Sequence, residues 1–220
     1  MPGILPRRLA LYTSVFLVGF AIMGFEMMAS RWIVPWFGGG IDTWAALIST
    51  VLVGLALGYF AGGGLPPRWK TPNIVAALLL AAAFYVALGP LLNERLLRAI
   101  SGHMGEGVGA LLLATMLVCF VPVALLGMFA PCSVDLMAGL TAQYGPSQFA
   151  GQIAGQLYGI STLGSVCGTL ATAFLLIPSL GTLRIALLLA AITFAAGALL
   201  WIGPALTLDP GTLDPGSDAK

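Results

Sequence analysis

The sequence contains few charged residues. Of 220 residues, Lys and Arg contribute 9 and Asp and Glu contribute 8, whereas 59% of the chain is hydrophobic. A water-soluble domain of this size needs many more charged groups on its surface. The formal net charge of +1 also excludes the strongly basic surface typical of nucleic-acid-binding proteins. The composition therefore predicts an integral membrane protein that does not bind nucleic acid.

Metal ligands and catalytic groups are also scarce. The chain has one histidine, His103, and its three cysteines, Cys119, Cys132 and Cys167, show no Cys-x-x-Cys spacing. We find no nucleophile with a neighbouring base and no Gly-rich turn between a strand and a helix that would hold a nucleotide cofactor. We therefore expect no metal site, no cofactor and no enzymatic activity.

Six apolar runs are long enough to cross a ~30 Å hydrocarbon layer, which takes about 20 helical residues. They cover residues 9–34, 43–63, 73–92, 107–129, 149–177 and 183–203. Apolar and charged positions separate on a helix over residues 93–100, which predicts a short surface helix there. The polar, turn-forming residues 204–220 form a tail. We expect one all-α transmembrane domain, residues 1–203, built as a six-helix bundle.

Positively charged side chains predict the orientation of this bundle. Arg7 and Arg8 precede the first run, and Arg68 and Lys70 lie between the second and third runs. Short cytoplasmic loops are enriched in Lys and Arg. Because an even number of crossings returns the chain to its starting side, we expect a multi-pass protein of the cell inner membrane with both termini in the cytoplasm.

Glycines spaced four residues apart mark the second and fifth runs. This spacing places them on one face of a helix, where the backbone of a neighbouring helix can approach closely. The predicted packing positions are Gly54, Gly58, Gly62, Gly151, Gly155, Gly159, Gly164 and Gly168. We expect the second and fifth helices to make the tightest crossings in the bundle.

Glu26 is an acidic residue inside the first apolar run. A charge near the bilayer centre costs at least ~2.5 kcal/mol unless it is paired or hydrated. Arg31 follows five positions later, a spacing that is poor for a direct ion pair on one helix. Two interpretations are open: Glu26 is a cation or proton site facing a cavity, or it forms a structural ion pair with Arg31 or Arg184.

Prolines at positions 122 and 131 predict a kinked or broken helix in the fourth run. Asp135 follows these prolines. A broken helix exposes backbone groups that can coordinate a ligand, and the alternative for Asp135 is a hydrated carboxylate at the membrane surface. Polar residues of the fifth run either line a hydrated path or hydrogen-bond to neighbouring helices. These residues are Gln152, Gln156, Tyr158 and Ser161.

Several short motifs together resemble a known family. They are G-F-E-M at 24–27, P-W-F-G at 35–38, L-L-G-M at 125–128, Y-G-I-S-T-L-G-S at 158–165 and F-L-L-I-P at 174–178. This set resembles the transmembrane region of membrane-bound spermidine-synthase-like proteins. The resemblance implies a bundle like one half of a major-facilitator transporter. That family often joins this region to a soluble aminopropyltransferase-like domain, and the lack of one in this sequence leads us to expect no transferase activity.

Two functions of different classes are consistent with these residues. The first is binding or transport of a small cationic or amine-bearing solute, with Glu26 recognising the charge. The second is a non-catalytic structural or anchoring subunit of a larger membrane complex, docked through the glycine stripes. The expected partners are the lipid bilayer, a small cationic solute, and either further copies of the chain or other membrane subunits.

Overall fold

The structure is a computed structural model, and it describes residues 4–141 and 150–205. Four helices are uninterrupted: α1 (Ile4–Phe37), α2 (Ile41–Gly63), α3 (Pro72–Met104) and α6 (Thr182–Ala205). Helix α4 consists of Val108–Thr115, a π-helical turn at Met116–Phe120, and Val121–Thr141. Helix α5 consists of Ala150–Ala171, a π-helical turn at Thr172–Leu176, and Ile177–Ser179.

Each of these six helices is long and apolar enough to cross a membrane. A short 3-10 turn, Pro67–Trp69, lies between α2 and α3, and the described residues contain no strand. The predicted all-α, multi-pass architecture is therefore confirmed. Helix α6 extends to Ala205, two residues beyond the predicted boundary at 203, and positions 206–220 of the predicted tail lie outside the described residues.

The predicted surface helix at 93–100 is wrong. These residues continue α3 without interruption to Met104. Asn93, Leu97 and Ile100 are all buried, at the spacing of one helical face. The apolar side of this segment therefore packs against the protein core, which extends the third crossing instead of forming a separate helix in the headgroup region.

Each π-helical turn lies just before a proline. Pro122 lacks a backbone N–H, and its ring would clash with the carbonyl of residue 118 in a regular α-helix; Pro178 stands in the same relation to residue 174. Residues 118 and 174 lie inside the two π-helical turns. The wider turns accommodate the prolines. Of the predicted kink or break in the fourth run, the break does not occur: the helix widens locally, and α4 continues past Pro131 to Thr141.

Helix α1 lies at the centre of the bundle and packs mainly against α5 and α6. Helix α2 packs on α4, and α3 packs on both α4 and α6. Half of the most apolar window of α1 is buried, compared with 17% of the corresponding window of α5. Helix α5 therefore lies at the edge of the bundle and turns most of its surface outward.

The glycine stripe of α2 lies against the backbone of α4. A Cβ atom at Gly58 would lie 3.0 Å from the Cα of Gly127 and 3.1 Å from the backbone nitrogen of Met128. Gly54 and Gly62 contact the same helix one turn to either side. This close crossing is possible because no side chain separates the two backbones.

The glycines of α5 divide between two faces. Gly164 and Gly168 press against the backbone of α1 at Phe16 and Phe20. At Gly151, Gly155 and Gly159, by contrast, a Cβ atom would have no atom of the described residues within 4 Å. At 100° per residue, Gly164 lies about 140° around the helix from Gly159. The predicted crossing through the 151, 155 and 159 stripe is therefore not made within the described part of this chain.

Candidate functional site

Glu26 lies on α1 within the bundle core. It is 5% exposed and stands beside the buried residues Phe25 and Met28. Two ion pairs occur among the described residues, and neither involves Glu26. The predicted structural ion pair from Glu26 to Arg31 or Arg184 is therefore not formed.

Both π-helical turns contact α1. Cys119, in the turn of α4, is fully buried and lies within electrostatic reach of Glu26. Thr172, in the turn of α5, has a buried hydroxyl with no hydrogen-bond partner in the described part of the chain. A Cβ atom at Gly24 would lie 2.9 Å from that hydroxyl. Gly24 is two residues from Glu26 and therefore about 200° around α1, so Thr172 meets nearly the opposite side of that helix. We call Glu26 and Cys119 the Glu26 site.

The Glu26 site combines a carboxyl group with irregular helical backbone inside an apolar core. Burying an isolated carboxylate is costly, so the group must carry a proton or meet a cation. Single π-helical turns within longer helices are frequent at functional sites. Chemically, this arrangement is suited to holding a proton or a small cation.

Sequence reasoning identifies Glu26 but misses Cys119 and Thr172. In the sequence, Cys119 is one of three cysteines that lack the spacing of metal ligands, and no residue near Thr172 marks it as functional. The sequence does contain one indication, because Pro122 follows Cys119 and Pro178 follows Thr172 by a few residues. A proline inside a helix disturbs the preceding turn. That signal locates each disturbed turn but does not show which side of α1 the turn meets.

Arg31 is exposed and lies in different surroundings from Glu26. With Trp32, Trp36 and Glu94 it lines an open cleft of about 550 Å³ where α1 approaches its C-terminal end. Glu94 accepts a hydrogen bond of 2.8 Å from Arg98, which also lies over the Trp36 ring. Glu26 is not among the residues that line this cleft. The structure therefore does not bring the predicted pair, Glu26 and Arg31, into one site.

Asp135 forms an ion pair with Lys70, with 2.7 Å between the Lys70 Nζ and Asp135 Oδ2 atoms. Lys70 also donates a hydrogen bond of 2.9 Å to the carbonyl of Gly63. The Asp135 side chain is 48% exposed, which agrees with the hydrated carboxylate of one interpretation. The intact α4 removes the broken-helix site of the other interpretation. In the sequence, Lys70 is informative only about the orientation of the chain in the membrane. An ion pair between a loop residue and a residue of a distant helix leaves no local sequence pattern.

The polar residues of α5 do not surround Glu26. Gln152 and Tyr158 are exposed on the outward side of α5. The Gln156 side chain accepts a hydrogen bond of 3.0 Å from the Tyr12 hydroxyl on α1, as expected for a residue that links neighbouring helices. Ser161 is half-buried where α5 crosses α1. Of the four predicted path residues, Gln156 thus has a clear helix-linking contact.

A small cavity lies one helical turn of α1 from Glu26, at Ile22. It has a volume of about 20 Å³ and is enclosed by α1, α2, α4 and α5. Ser133 and Ser161 contribute polar surface, and Tyr59 and Tyr158 lie at its outward side. The volume is sufficient for about one water molecule. Polar side chains from three helices therefore meet α1 between Val15 and Ile22, one to three turns away from Glu26.

Comparison with protein-family models, curated proteins and solved structures found no match for this chain. The motif resemblance to spermidine-synthase-like membrane regions therefore stays a prediction from the sequence. We infer the function of the chain from the geometry of particular residues.

Proposed function

We propose that this chain binds a small cationic or amine-bearing solute at Glu26, and that it carries the solute across the membrane together with a second copy or a partner. One observation supports this proposal above the others. The Glu26 side chain is 5% exposed in the bundle, and no described Lys or Arg forms an ion pair with it. A solute cation or a proton would supply the missing charge balance.

The surroundings of Glu26 are suited to a small ligand. The π-helical turn of α4 brings Cys119 within electrostatic reach of Glu26. Carboxylate oxygens are hydrogen-bond acceptors for an ammonium group. The resemblance to one half of a major-facilitator bundle supports the proposal only at the level of fold, and it implies that a second bundle completes the transport path.

A ligand panel tests this proposal on the purified wild-type chain. We expect 1,4-diaminobutane and related amines to raise the thermal unfolding midpoint, while 1,4-butanediol, which has the same carbon chain without the charges, has no effect. A ligand at 100 times its Kd stabilises the folded state by about 2.7 kcal/mol, which such a measurement detects readily. Cation binding would be contradicted if, at saturating concentrations, the amine and the diol stabilised the protein equally, or if neither compound stabilised it.

A second function, as an assembly subunit, is favoured by the outward face of α5. Gly151, Gly155 and Gly159 form a smooth stripe there, with no atom of the described chain within 4 Å of their Cβ positions. Small residues at this spacing allow a helix of another molecule to approach closely in lipid. On this proposal the chain is a non-catalytic membrane subunit docked through α5.

Cys167 provides a natural cross-linking probe on α5, because it is exposed whereas Cys119 and Cys132 are buried. At 100° per residue it lies about 80° around the helix from Gly159. A short bis-maleimide added to native membranes is expected to give one discrete cross-linked product through Cys167. Its mass separates a homodimer from a complex with another subunit. Gly155→Leu is expected to reduce the product about tenfold, and Cys167→Ser to remove it. A product that Gly155→Leu leaves unchanged would show that α5 docks through the side that carries Cys167 and not through the glycine stripe.

A further inference from the structure

A cavity of about 290 Å³ opens at the end of the bundle where α1 and α3 begin and α4 and α6 end. Its walls are mainly apolar. The leucines that form them are Leu11, Leu136, Leu140, Leu199 and Leu200. Three charged side chains, Arg7, Lys70 and Asp135, stand at the same cavity. It therefore combines an apolar interior with a charged margin, away from the Glu26 site.

Lys70 makes two polar contacts at this margin. Its ammonium group has three N–H donors. One donates to Asp135 and one to the Gly63 carbonyl, and no described residue accepts from the third. Arg7 contributes a second positive charge at the same cavity. An anionic group at this margin would meet a lysine that the Asp135 contact already holds in place.

The position of the cavity identifies the kind of anion. Arg7 lies in the first turn of α1 and Lys70 closely precedes α3, so both cations stand where helices begin at the membrane surface. Lipid phosphates lie at this level, with acyl chains directed toward the bilayer centre. Basic pockets between transmembrane helices bind lipid head groups. The leucine walls match the apolar part of such a molecule.

We propose that this cavity binds one glycerophospholipid, with its phosphate held by Lys70 beside Arg7 and the beginning of an acyl chain lying against the leucines. The third Lys70 donor and the apolar walls together favour this occupant. A soluble phosphate ester would leave the leucine walls uncovered, and an uncharged lipid would offer the Lys70 ammonium no anionic acceptor. The site is independent of the function proposed for Glu26.

Gly139 offers a way to fill the cavity without changing its charges. It lines the cavity on α4, and a Cβ atom there would have no described neighbour within 4 Å. Gly139→Leu is therefore expected to occupy the space of the lipid chain. Gly109→Leu is the matched control, because Gly109 lies on the same helix, also has open space at its Cβ and does not line the cavity. Lys70→Gln removes the main phosphate contact.

The test is native mass spectrometry of the purified, delipidated full chain, titrated separately with three probes. Dioleoylphosphatidylglycerol carries both phosphate and acyl chains, dioleoylglycerol lacks the phosphate, and glycerol 3-phosphate lacks the chains. We expect one tightly bound copy of the phospholipid and weak binding of the other two. Gly139→Leu and Lys70→Gln are each expected to weaken phospholipid binding about tenfold, and Gly109→Leu to leave it unchanged.

Three results would overturn the proposal. Equal binding of dioleoylglycerol would remove the role of the phosphate, and equal binding of glycerol 3-phosphate would make this a soluble phosphoester site. Undiminished phospholipid binding by Gly139→Leu would place the lipid elsewhere on the protein. Thermal unfolding of each variant, measured in parallel, establishes that a loss of binding is not a loss of folded protein.

Discussion

Gly164→Leu is expected to prevent stable folding of the bundle, whereas Gly159→Leu, on the same helix, leaves the fold intact. A Cβ atom at Gly164 would lie 3.0 Å from the carbonyl carbon of Phe16 and closer still to its oxygen. Because these are backbone atoms of a packed helix, no change of rotamer relieves the contact. We expect a loss of about 3 kcal/mol or more, at the upper end of overpacking effects.

The contrast with Gly159 depends on the direction that each glycine faces. Gly159 has no described atom within 4 Å of its Cβ position, so a leucine there points away from the described bundle. Leucine also has a higher helix propensity than glycine by about 0.8 kcal/mol, which favours the variant slightly. Both variants have the same change in side-chain volume and lie on one helix.

Unfolding of the two variants in detergent, followed by circular dichroism against denaturant, measures this difference directly. Size-exclusion chromatography reports the yield of folded protein. Equal tolerance of both substitutions would show that α5 does not cross α1 through Gly164. If both substitutions are equally damaging, the outward face of α5 is covered in the assembled protein, as the subunit hypothesis requires.

Glu26→Gln is expected to reduce solute uptake at low solute concentration tenfold or more, while leaving the bundle as stable as the wild type or more stable. The substitution keeps the size of the side chain and removes its ability to carry a negative charge. Since no described cation pairs with Glu26, the change breaks no ion pair. Replacing an uncompensated buried charge by a neutral group is neutral or favourable for folding.

The expected loss of uptake follows from the missing charge in the site. A charge-assisted hydrogen bond contributes about 1.5–3 kcal/mol, so the variant should lose tenfold or more in apparent affinity for an amine. The measurement is uptake of radiolabelled 1,4-diaminobutane into proteoliposomes, with thermal unfolding of the same preparations. Glu94→Gln is the control, because Glu94 is an acidic residue of α3 whose side chain is 69% exposed.

The pattern across these measurements separates the two functions proposed above. Lost uptake with full stability in Glu26→Gln supports a solute site at Glu26. A strong loss of stability would instead give Glu26 a structural role, and uptake equal to wild type would exclude it from solute recognition. Neither of the latter results affects the docking proposal for α5, which depends on Gly155 and Cys167.

The membrane class, the number of helices and the position of Glu26 within α1 were all predictable from the sequence. Hydropathy is a sum over neighbouring residues, and six apolar runs of sufficient length allow few other architectures. The α2 glycine stripe was also informative, because spacing along one helix fixes which residues share a face. Helix ends were less predictable: the segment at 93–100 has an amphipathic pattern that suits a membrane surface and a protein core equally.

Only the tertiary structure determined which helix meets each of these faces. Gly159 and Gly164 have the same chemistry, yet one faces outward and the other meets α1. The pair between Lys70 and Asp135 joins residues far apart in the sequence, and the widened turns before two prolines in different helices both contact α1. A linear pattern specifies the surface of each helix. The rotation and neighbours of that helix depend on how all six surfaces pack together, and this arrangement places Glu26 in the core.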